Sequence, residues 1–222
     1  MGAGKTTLVR TLLAELDPGR VAVAQVLSTQ LQADELLGAI LFAFGVTGDH
    51  GPETDLASAV RQFLVSLSHE QRRAVLIVDE AQNLHPAAFE QLVALITPES
   101  GEEAALQICL VGQPELRDIV ESRDLRHLSE RVVVSCHLGP IDRAETGGYI
   151  EHRLRKVGWA GNPGFDAAAF DEIFRWTQGV PRKINLLCNR LMLSRFLTQQ
   201  TQIDAATVAQ TARDLRVEIG DP

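Results

Sequence analysis

The sequence predicts an α/β domain built on a parallel sheet, followed by a smaller all-α domain. Short runs rich in Val, Ile and Leu alternate with longer helical patterns, which is typical of parallel strands covered by helices on both faces. After Gly139 and Pro140 these runs stop and only helical patterns follow. The predicted strands are Val21–Leu27, Ala74–Asp79, Leu106–Gly112 and Val132–Leu138.

The helical patterns and the charge distribution place the domain boundary at the same point. Helices are expected near residues 5–16, 33–44, 54–69, 86–97 and 114–122, and then near 142–157, 166–176, 181–199 and 204–216. Residues 1–138 carry 10 basic and 19 acidic side chains, whereas residues 139–222 carry 11 and 10. We therefore expect a strongly acidic first domain, residues 1–138, and a nearly neutral helical domain, residues 139–222.

Composition excludes several classes of protein. The 222 residues are 45% hydrophobic with a net charge of −8, an ordinary balance for a globular protein and a poor one for a nucleic-acid partner. The longest apolar stretch near the N-terminus, Ala39–Val46, is far shorter than the ~20 residues of a membrane span. No leader pattern opens the chain, and three scattered cysteines make a disulfide scaffold improbable. We expect a cytoplasmic protein.

The first residues have the pattern of a phosphate-binding loop. Gly4-Lys5-Thr6 directly precedes an amphipathic helix, so backbone N–H groups can surround phosphate oxygens. Lys5 would reach the β- and γ-phosphates, and Thr6 would place its hydroxyl on Mg²⁺. The alternative is a chance glycine-rich terminus. The expected nucleotide-binding residues are Gly2, Ala3, Gly4, Lys5, Thr6 and Thr7.

Two carboxylates follow the second predicted strand. Asp79 and Glu80 end an apolar run, and ligands of parallel sheets bind at the carboxyl ends of strands. Asp79 would hold Mg²⁺, and Glu80 would act as general base on the attacking water. The alternative is a strand that ends in a solvated acidic turn.

Three further polar residues are candidates for the same chemistry. Gln113 follows the third predicted strand and would orient the attacking water, unless it is only a turn residue. Arg131, or second in order Arg126, would stabilise the transferring phosphoryl group in a neighbouring subunit, unless it is an ordinary surface arginine. Arg182 stands at a helix start after Gly179-Val180-Pro181 and would contact the nucleotide phosphates, unless it is only a charged residue at a helix start.

Five motifs together resemble a known family. GAGKTTLVR, LIVDEAQNL, LVGQPELRD, SCHLGPIDRAETGGYIEHRLRKVGW and GVPRKINLLCNRL, in this order, are similar to the AAA+ ATPases of the general secretion pathway protein A (ExeA) type. The tract CHLGPIDRAET resembles the branch associated with exosortase/PEP-CTERM systems. The resemblance covers almost the whole chain.

The resemblance implies a fold and a set of roles. The implied fold is a P-loop NTPase (AAA+) sheet in strand order 5-1-4-3-2 with a small all-α lid. The implied cofactors are ATP and Mg²⁺, and the implied sites are a Walker A loop, a Walker B strand end, sensor 1, an arginine finger and sensor 2. In this chain the matching positions are, in the same order, Gly2, Gly4, Lys5 and Thr6, then Asp79 and Glu80, a position at or beside Gln113, Arg131 and Arg182.

Two departures from the family pattern bear on these expectations. The first glycine of the phosphate loop and the strand before it are missing, so the chain is expected to be N-terminally truncated, with a gap in the middle of its sheet. Thr97-Pro98-Glu99-Ser100 replaces the helical continuation of relatives, which puts that segment's contribution near the γ-phosphate in doubt.

The sequence thus predicts an ATP-hydrolysing protein that forms rings and remodels or energises a component of cell-envelope secretion or exopolysaccharide export. As in relatives, it would be cytoplasmic or peripheral at the inner membrane. One alternative is a scaffold that binds nucleotide without hydrolysing it, which the incomplete loop favours. A second is a DNA-acting regulator resembling transposition helper ATPases, which the net charge of −8 disfavours.

Overall fold

The computed structural model describes residues 4–27, 31–47, 55–97 and 106–219. The chain divides into two compact units. The α/β unit comprises residues 6–137, and the helical unit comprises residues 138–222 together with 1–5.

Three parallel strands form the sheet of the α/β unit. They are β1 (Val21–Leu27), β2 (Arg73–Asp79) and β3 (Leu106–Leu110), in the order β1-β2-β3 with β2 in the centre. The register sets Leu27 opposite Asp79 and Val78 opposite Leu110. The helices are α1 (Lys5–Ala14), α2 (Ala33–Ala43), α3 (Leu56–His69), α4 (Pro86–Ile96), α5 (Glu115–Val120) and α6 (Arg126–Ser129).

Both faces of β2 are buried, as its nearly continuous apolar sequence requires. Ala74, Leu76 and Val78 belong to the main core, to which α2, α3 and α4 contribute their apolar stripes. The intervening Ile77 belongs to a smaller cluster with Val9 of α1 and with Val111. Alternate side chains of a strand point to opposite faces, so helices cover the sheet on both sides. The prediction of a parallel sheet covered by helices is confirmed.

The predicted strand at Val132–Leu138 is wrong. The segment has no regular secondary structure, its residues are exposed, and the side chain of Val133 is 94% accessible. In the described ranges, β3 pairs only with β2, and residues 132–138 pair with neither strand. A run of β-branched residues forms a strand only where another backbone supplies hydrogen-bonding partners, and no described strand does so here.

The helical unit contains α7 (Arg143–Arg155), α8 (Ala167–Thr177), α9 (Pro181–Thr198) and α10 (Ala205–Ile219). It also contains a small parallel pair, β4 (Gly164–Phe165) and β5 (Gln202–Ile203). The prediction that strands stop after Pro140 is therefore wrong, because two-residue strands are too short to produce an alternating pattern. The core of the helical unit includes Ile150, Ile173, Ile184, Leu191 and Ile203.

Capping residues fix where two helices of this unit begin. The Asp142 carboxylate accepts a hydrogen bond from the backbone N–H of Glu145 at 2.7 Å, which starts α7. Asp166 accepts from the N–H of Ala169 at 2.6 Å and starts α8 in the same way. Such caps satisfy backbone donors that have no partner inside the helix. No helix in the described ranges has both the length and the apolar character required to cross a membrane.

Candidate functional site

Two consecutive carboxylates lie at the carboxyl end of the central strand. Asp79 is the last residue of β2, and Glu80 follows it with left-handed backbone angles, φ 52° and ψ 38°. The N–H of Glu80 donates to the Asp79 Oδ1 atom at 2.9 Å, which stabilises this turn. Left-handed backbone is uncommon for a residue with a side chain and occurs often at functional sites. Both residues are half-buried.

Two glutamine side chains bind the Glu80 carboxylate. The Gln82 Nε2 atom donates to Glu80 Oε2 at 2.6 Å, and Gln113 Nε2 lies 3.4 Å from the same oxygen. Gln113 follows β3, so its contact with Glu80 joins the ends of two neighbouring strands. The geometry thus brings together Glu80 and Gln113, which the sequence placed at adjacent strand ends.

Gln82 is a component of this site that the sequence analysis did not identify. Besides donating to Glu80, its Oε1 atom accepts a hydrogen bond from the backbone N–H of Gln113 at 3.0 Å. The available signal was its position two residues after Glu80, in the middle of the short turn Ala81–Asn83. A side-chain amide there can reach the end of the neighbouring strand, whereas the apolar Ala81 is buried in the main core.

Gly112 allows Gln82 to approach the backbone of the β3–α5 segment. A Cβ atom at position 112 would lie 2.7 Å from Gln82 Oε1 and 2.7 Å from the Cδ2 atom of Leu116. Real Cβ atoms essentially never make contacts this short, so Gln82 and Leu116 would have to shift. Glycine is favoured here by this close approach and not by its backbone angles, which lie outside the left-handed region.

The residues of the predicted phosphate loop precede and begin α1. Gly4 has φ +92°, which favours glycine, and an added Cβ would meet nothing within 4 Å. Lys5 is the first residue of α1, and Thr6 and Thr7 follow in its first turn, where backbone N–H groups lack partners within the helix. Gly2 and Ala3 lie outside the described residues.

The chemistry of two side chains at the candidate site fits a magnesium ion. Asp79 offers a carboxylate and Thr6 a hydroxyl, both hard ligands of the kind Mg²⁺ prefers. The described ranges contain no group of three or more His, Cys, Asp or Glu side chains arranged to hold a metal ion.

The three candidate arginines differ in their surroundings. Arg126 is paired with Glu130 on its own helix, with Nε 2.9 Å from Oε1. Arg131 is exposed, and its guanidinium has no hydrogen bond or ion pair with any described residue. Arg182 is exposed in the first turn of α9, directly after Pro181. Arg131 is therefore the more available of the two arginine-finger candidates.

Comparison with known proteins places this geometry in a family. The model of the AAA domain family matches residues 1–120, a stretch that contains the start of α1, the end of β2 and the end of β3. This chain belongs to the AAA domain family. Within that family it is similar to general secretion pathway protein A of Aeromonas hydrophila, with 35% identity over 197 residues. The match covers 88% of this chain and 36% of that protein, so the chain spans about a third of its relative.

Solved structures of this P-loop fold resemble the chain at low sequence identity. The ORC2 protein of Aeropyrum pernix, solved as ADPNP–ADP complexes, has a TM-score of 0.72 at 13% identity, covering 96% of this chain and 59% of that one. Cdc6p of Pyrobaculum aerophilum has a TM-score of 0.74 at 14% identity, covering 100% and 62%. The RuvB branch-migration motor of Thermotoga maritima has a TM-score of 0.55 at 19% identity, covering 96% and 70%. These likenesses confirm the predicted P-loop AAA+ fold.

Proposed function

We propose that this chain binds ATP with Mg²⁺ and hydrolyses the nucleotide. The observation that carries the proposal is the Glu80 carboxylate, which stands at the carboxyl end of the central strand and is bound by the amides of Gln82 and Gln113. A carboxylate held at this edge of a parallel sheet is placed to take a proton from water attacking a bound phosphate. Membership of the AAA domain family supports this assignment.

The other residues of the site have complementary roles in the proposal. Gly2 to Thr7 bind the phosphates through backbone N–H groups, and Lys5 neutralises charge on the β- and γ-phosphates. Thr6 and Asp79 would hold a magnesium ion, which would supply positive charge to the phosphate oxygens. Gln113 orients the attacking water toward Glu80. The positions of Lys5 and Thr6 in the first turn of α1, and of Asp79 at the end of β2, support their roles.

We further propose that hydrolysis requires a ring of identical chains. Arg131 would extend to the nucleotide of a neighbouring subunit and stabilise the transition-state charge, as arginine fingers do. Its exposed guanidinium, unpaired within the described residues, supports this choice over Arg126. Arg182 would bind the nucleotide phosphates as the sensor-2 arginine.

The proposed partner is a component of cell-envelope secretion or exopolysaccharide export. The support is the 35% identity with general secretion pathway protein A, together with the tract from Cys136 to Thr146, which resembles the exosortase-associated branch. In this proposal the chain acts in the cytoplasm or at the inner membrane surface, and nucleotide-driven movement remodels the partner.

The central experiment compares Glu80→Gln with the unchanged chain. The substitution removes the general base but keeps the size of the side chain, so phosphate release should fall by about a hundredfold or more while ATP binding persists. Glu90→Gln is the matched control, because Glu90 is an exposed residue of α4. Equal hydrolysis in the unchanged chain and in Glu80→Gln would contradict the proposal. ATP binding with no turnover in either protein would support a scaffold instead.

The partner assignment has its own test. A Glu80→Gln chain that retains ATP should hold its partner longer than the unchanged chain does, since hydrolysis would otherwise release it. Affinity capture with and without ATP, followed by mass spectrometry, should recover an envelope export component only when ATP is present. Recovery of DNA or of no envelope component would contradict this part of the proposal.

A further inference from the structure

We propose that Gln82 is a positioning residue for Glu80 and ties its carboxylate to the segment that follows β3. This inference rests on the proposed ATPase function and deepens it. Gln82 does not need to touch the nucleotide in this role, because it acts through the general base. Its side chain makes one hydrogen bond to the Glu80 side chain and one to the Gln113 backbone.

The orientation of the Gln82 amide follows from its partners. The Gln113 backbone N–H is a donor, so the amide atom facing it must be the oxygen. The NH₂ group must then face Glu80, where it meets a carboxylate that can only accept when ionised. If the amide were rotated by 180°, its NH₂ group would face the Gln113 N–H, and its carbonyl oxygen would face the Glu80 carboxylate. Neither pair could form a hydrogen bond. The bridge therefore has one orientation, in which its NH₂ group donates to the Glu80 carboxylate and its oxygen accepts from the Gln113 backbone.

The surrounding backbone restricts the pair further. Glu80 has a left-handed backbone conformation, and its backbone N–H donates to Asp79 Oδ1. Both features limit the directions that the Glu80 side chain can take. Because Gly112 has no side chain, the Gln82 Oε1 atom can lie close to the backbone there. A Cβ atom at position 112 would be only 2.7 Å from that oxygen. The Gln82 side chain thus lies between the Glu80 carboxylate, whose direction is restricted, and the backbone at Gly112, which it approaches closely.

The bridge makes the position of Glu80 depend on the position of Gln113. These residues are 33 positions apart in the chain and are joined both directly, at 3.4 Å, and through Gln82. The direct contact is the longer one, whereas the two bonds of Gln82 measure 2.6 and 3.0 Å. A movement of the β3–α5 segment would therefore be transmitted to the base mainly by Gln82.

The test is Gln82→Met in the full chain, because methionine has a similar length but cannot make either hydrogen bond. We expect kcat for ATP hydrolysis to fall by about tenfold or more, while the Kd for ATP changes by less than about twofold. Gln107→Met is the matched control, since Gln107 is an exposed residue of β3 outside the site. The control should keep the kcat of the unchanged chain.

A second measurement asks whether Gln82 acts through Glu80. In a Glu80→Gln background, Gln82→Met should cause no further loss of hydrolysis, because there is no base left to position. Two independent roles would instead multiply the losses. Circular dichroism and the thermal midpoint of each variant establish that the fold is kept. If Gln82→Met does not fold, Gln82→Glu, which keeps an acceptor for Gln113 but repels Glu80, should give the same loss of kcat.

Failure of the inference can be told apart from failure of the proposed function. If the unchanged chain hydrolyses ATP, Glu80→Gln does not, and folded Gln82→Met keeps full kcat, then the positioning role is wrong and the ATPase assignment stands. An equal rise in the Kd for ATP and fall in kcat would also overturn the positioning role. If the unchanged chain does not hydrolyse ATP at all, the proposed function fails and the inference fails with it.

Discussion

Gly179 and Ile141 are in direct backbone contact. The N–H of Ile141 donates to the carbonyl oxygen of Gly179 at 2.9 Å, and a Cβ at position 179 would lie 1.8 Å from the Ile141 carbonyl oxygen. Gly179 also has φ +70°, in the region that favours glycine. The contact fixes the turn that leads into α9 and Arg182 against the segment that leads into α7.

Replacing this glycine should destabilise the helical unit. We expect Gly179→Ala to lower its free energy of unfolding by about 3 kcal/mol, because a left-handed alanine is strained and its methyl group overlaps a carbonyl oxygen. Both tryptophans, Trp159 and Trp176, belong to this unit, so urea unfolding followed by tryptophan fluorescence reports on it.

Gly148 provides the matched control for this prediction. It lies inside α7, is exposed, and an added Cβ would meet nothing within 4 Å. Gly148→Ala should raise the free energy of unfolding by about 0.5–1 kcal/mol, since alanine loses less backbone entropy in a helix. Equal stability of the two variants would show that the Gly179 contact does not matter.

The helical unit should also lose stability in acid. Hydrogen bonds from the Arg143 guanidinium lower the pKa of Asp171, and the backbone N–H of Thr207 lowers the pKa of Asp204. Because these folded-state pKa values lie below the unfolded ones, the stabilisation is fully present above about pH 4 and is lost as the pH falls through the folded values. Asp171→Asn should therefore weaken the dependence of the urea midpoint on pH between about 7 and 3. An unchanged dependence would contradict this assignment.

A mixing experiment tests whether Arg131 acts on a neighbouring subunit. Arg131→Ala and Glu80→Gln should each be inactive, but a mixture should recover activity because some interfaces combine an intact Glu80 with an intact Arg131. With equal amounts and random assembly, about a quarter of the interfaces are restored. Arg126→Ala, which breaks only the exposed pair with Glu130, should keep its activity alone. Activity that stays absent in every mixture would argue against the role in trans.

Removing the charge of Lys5 should weaken nucleotide binding strongly. Lys5→Ala deletes the side chain proposed to neutralise the β- and γ-phosphates, so the Kd for ATP should rise by about a hundredfold. Arg10→Ala on the same helix is the control, because Arg10 is exposed and lies outside the first turn. Titration of a fluorescent ATP analogue compares the two variants. If they bind the analogue equally, the α1 start is not the phosphate site.

Local patterns in the sequence were sufficient to predict most of the sheet. The run Val21–Leu27 was predicted with the bounds that β1 has, and Asp79 and Glu80 were placed correctly at the end of β2. Both predictions depend on short-range features: β-branched residues in an unbroken apolar run, and polar residues directly after it. The position of Gln113 beside Glu80 followed from the pairing of consecutive strands in a parallel sheet.

Features that depend on distant partners could not be predicted in this way. Val132–Leu138 has strand-like residues but no described strand to pair with, so it stays irregular and exposed. The Gln82 side chain accepts a hydrogen bond from the backbone N–H of Gln113, which lies 31 positions away in the chain. Nothing in the local pattern around either segment indicates whether such a partner is present.

The three cysteines differ enough in their surroundings for one of them to be labelled selectively. Burial raises the pKa of Cys188 to about 12, and burial also raises the pKa of the half-buried Cys109. Cys136 is exposed, two residues before the helical unit begins. Because thiolates react and buried thiols do not, a maleimide dye at neutral pH would attach at Cys136 without any substitution. Energy transfer from the tryptophans of the helical unit to that dye, measured with and without ATP, would then test for nucleotide-dependent movement in the natural sequence.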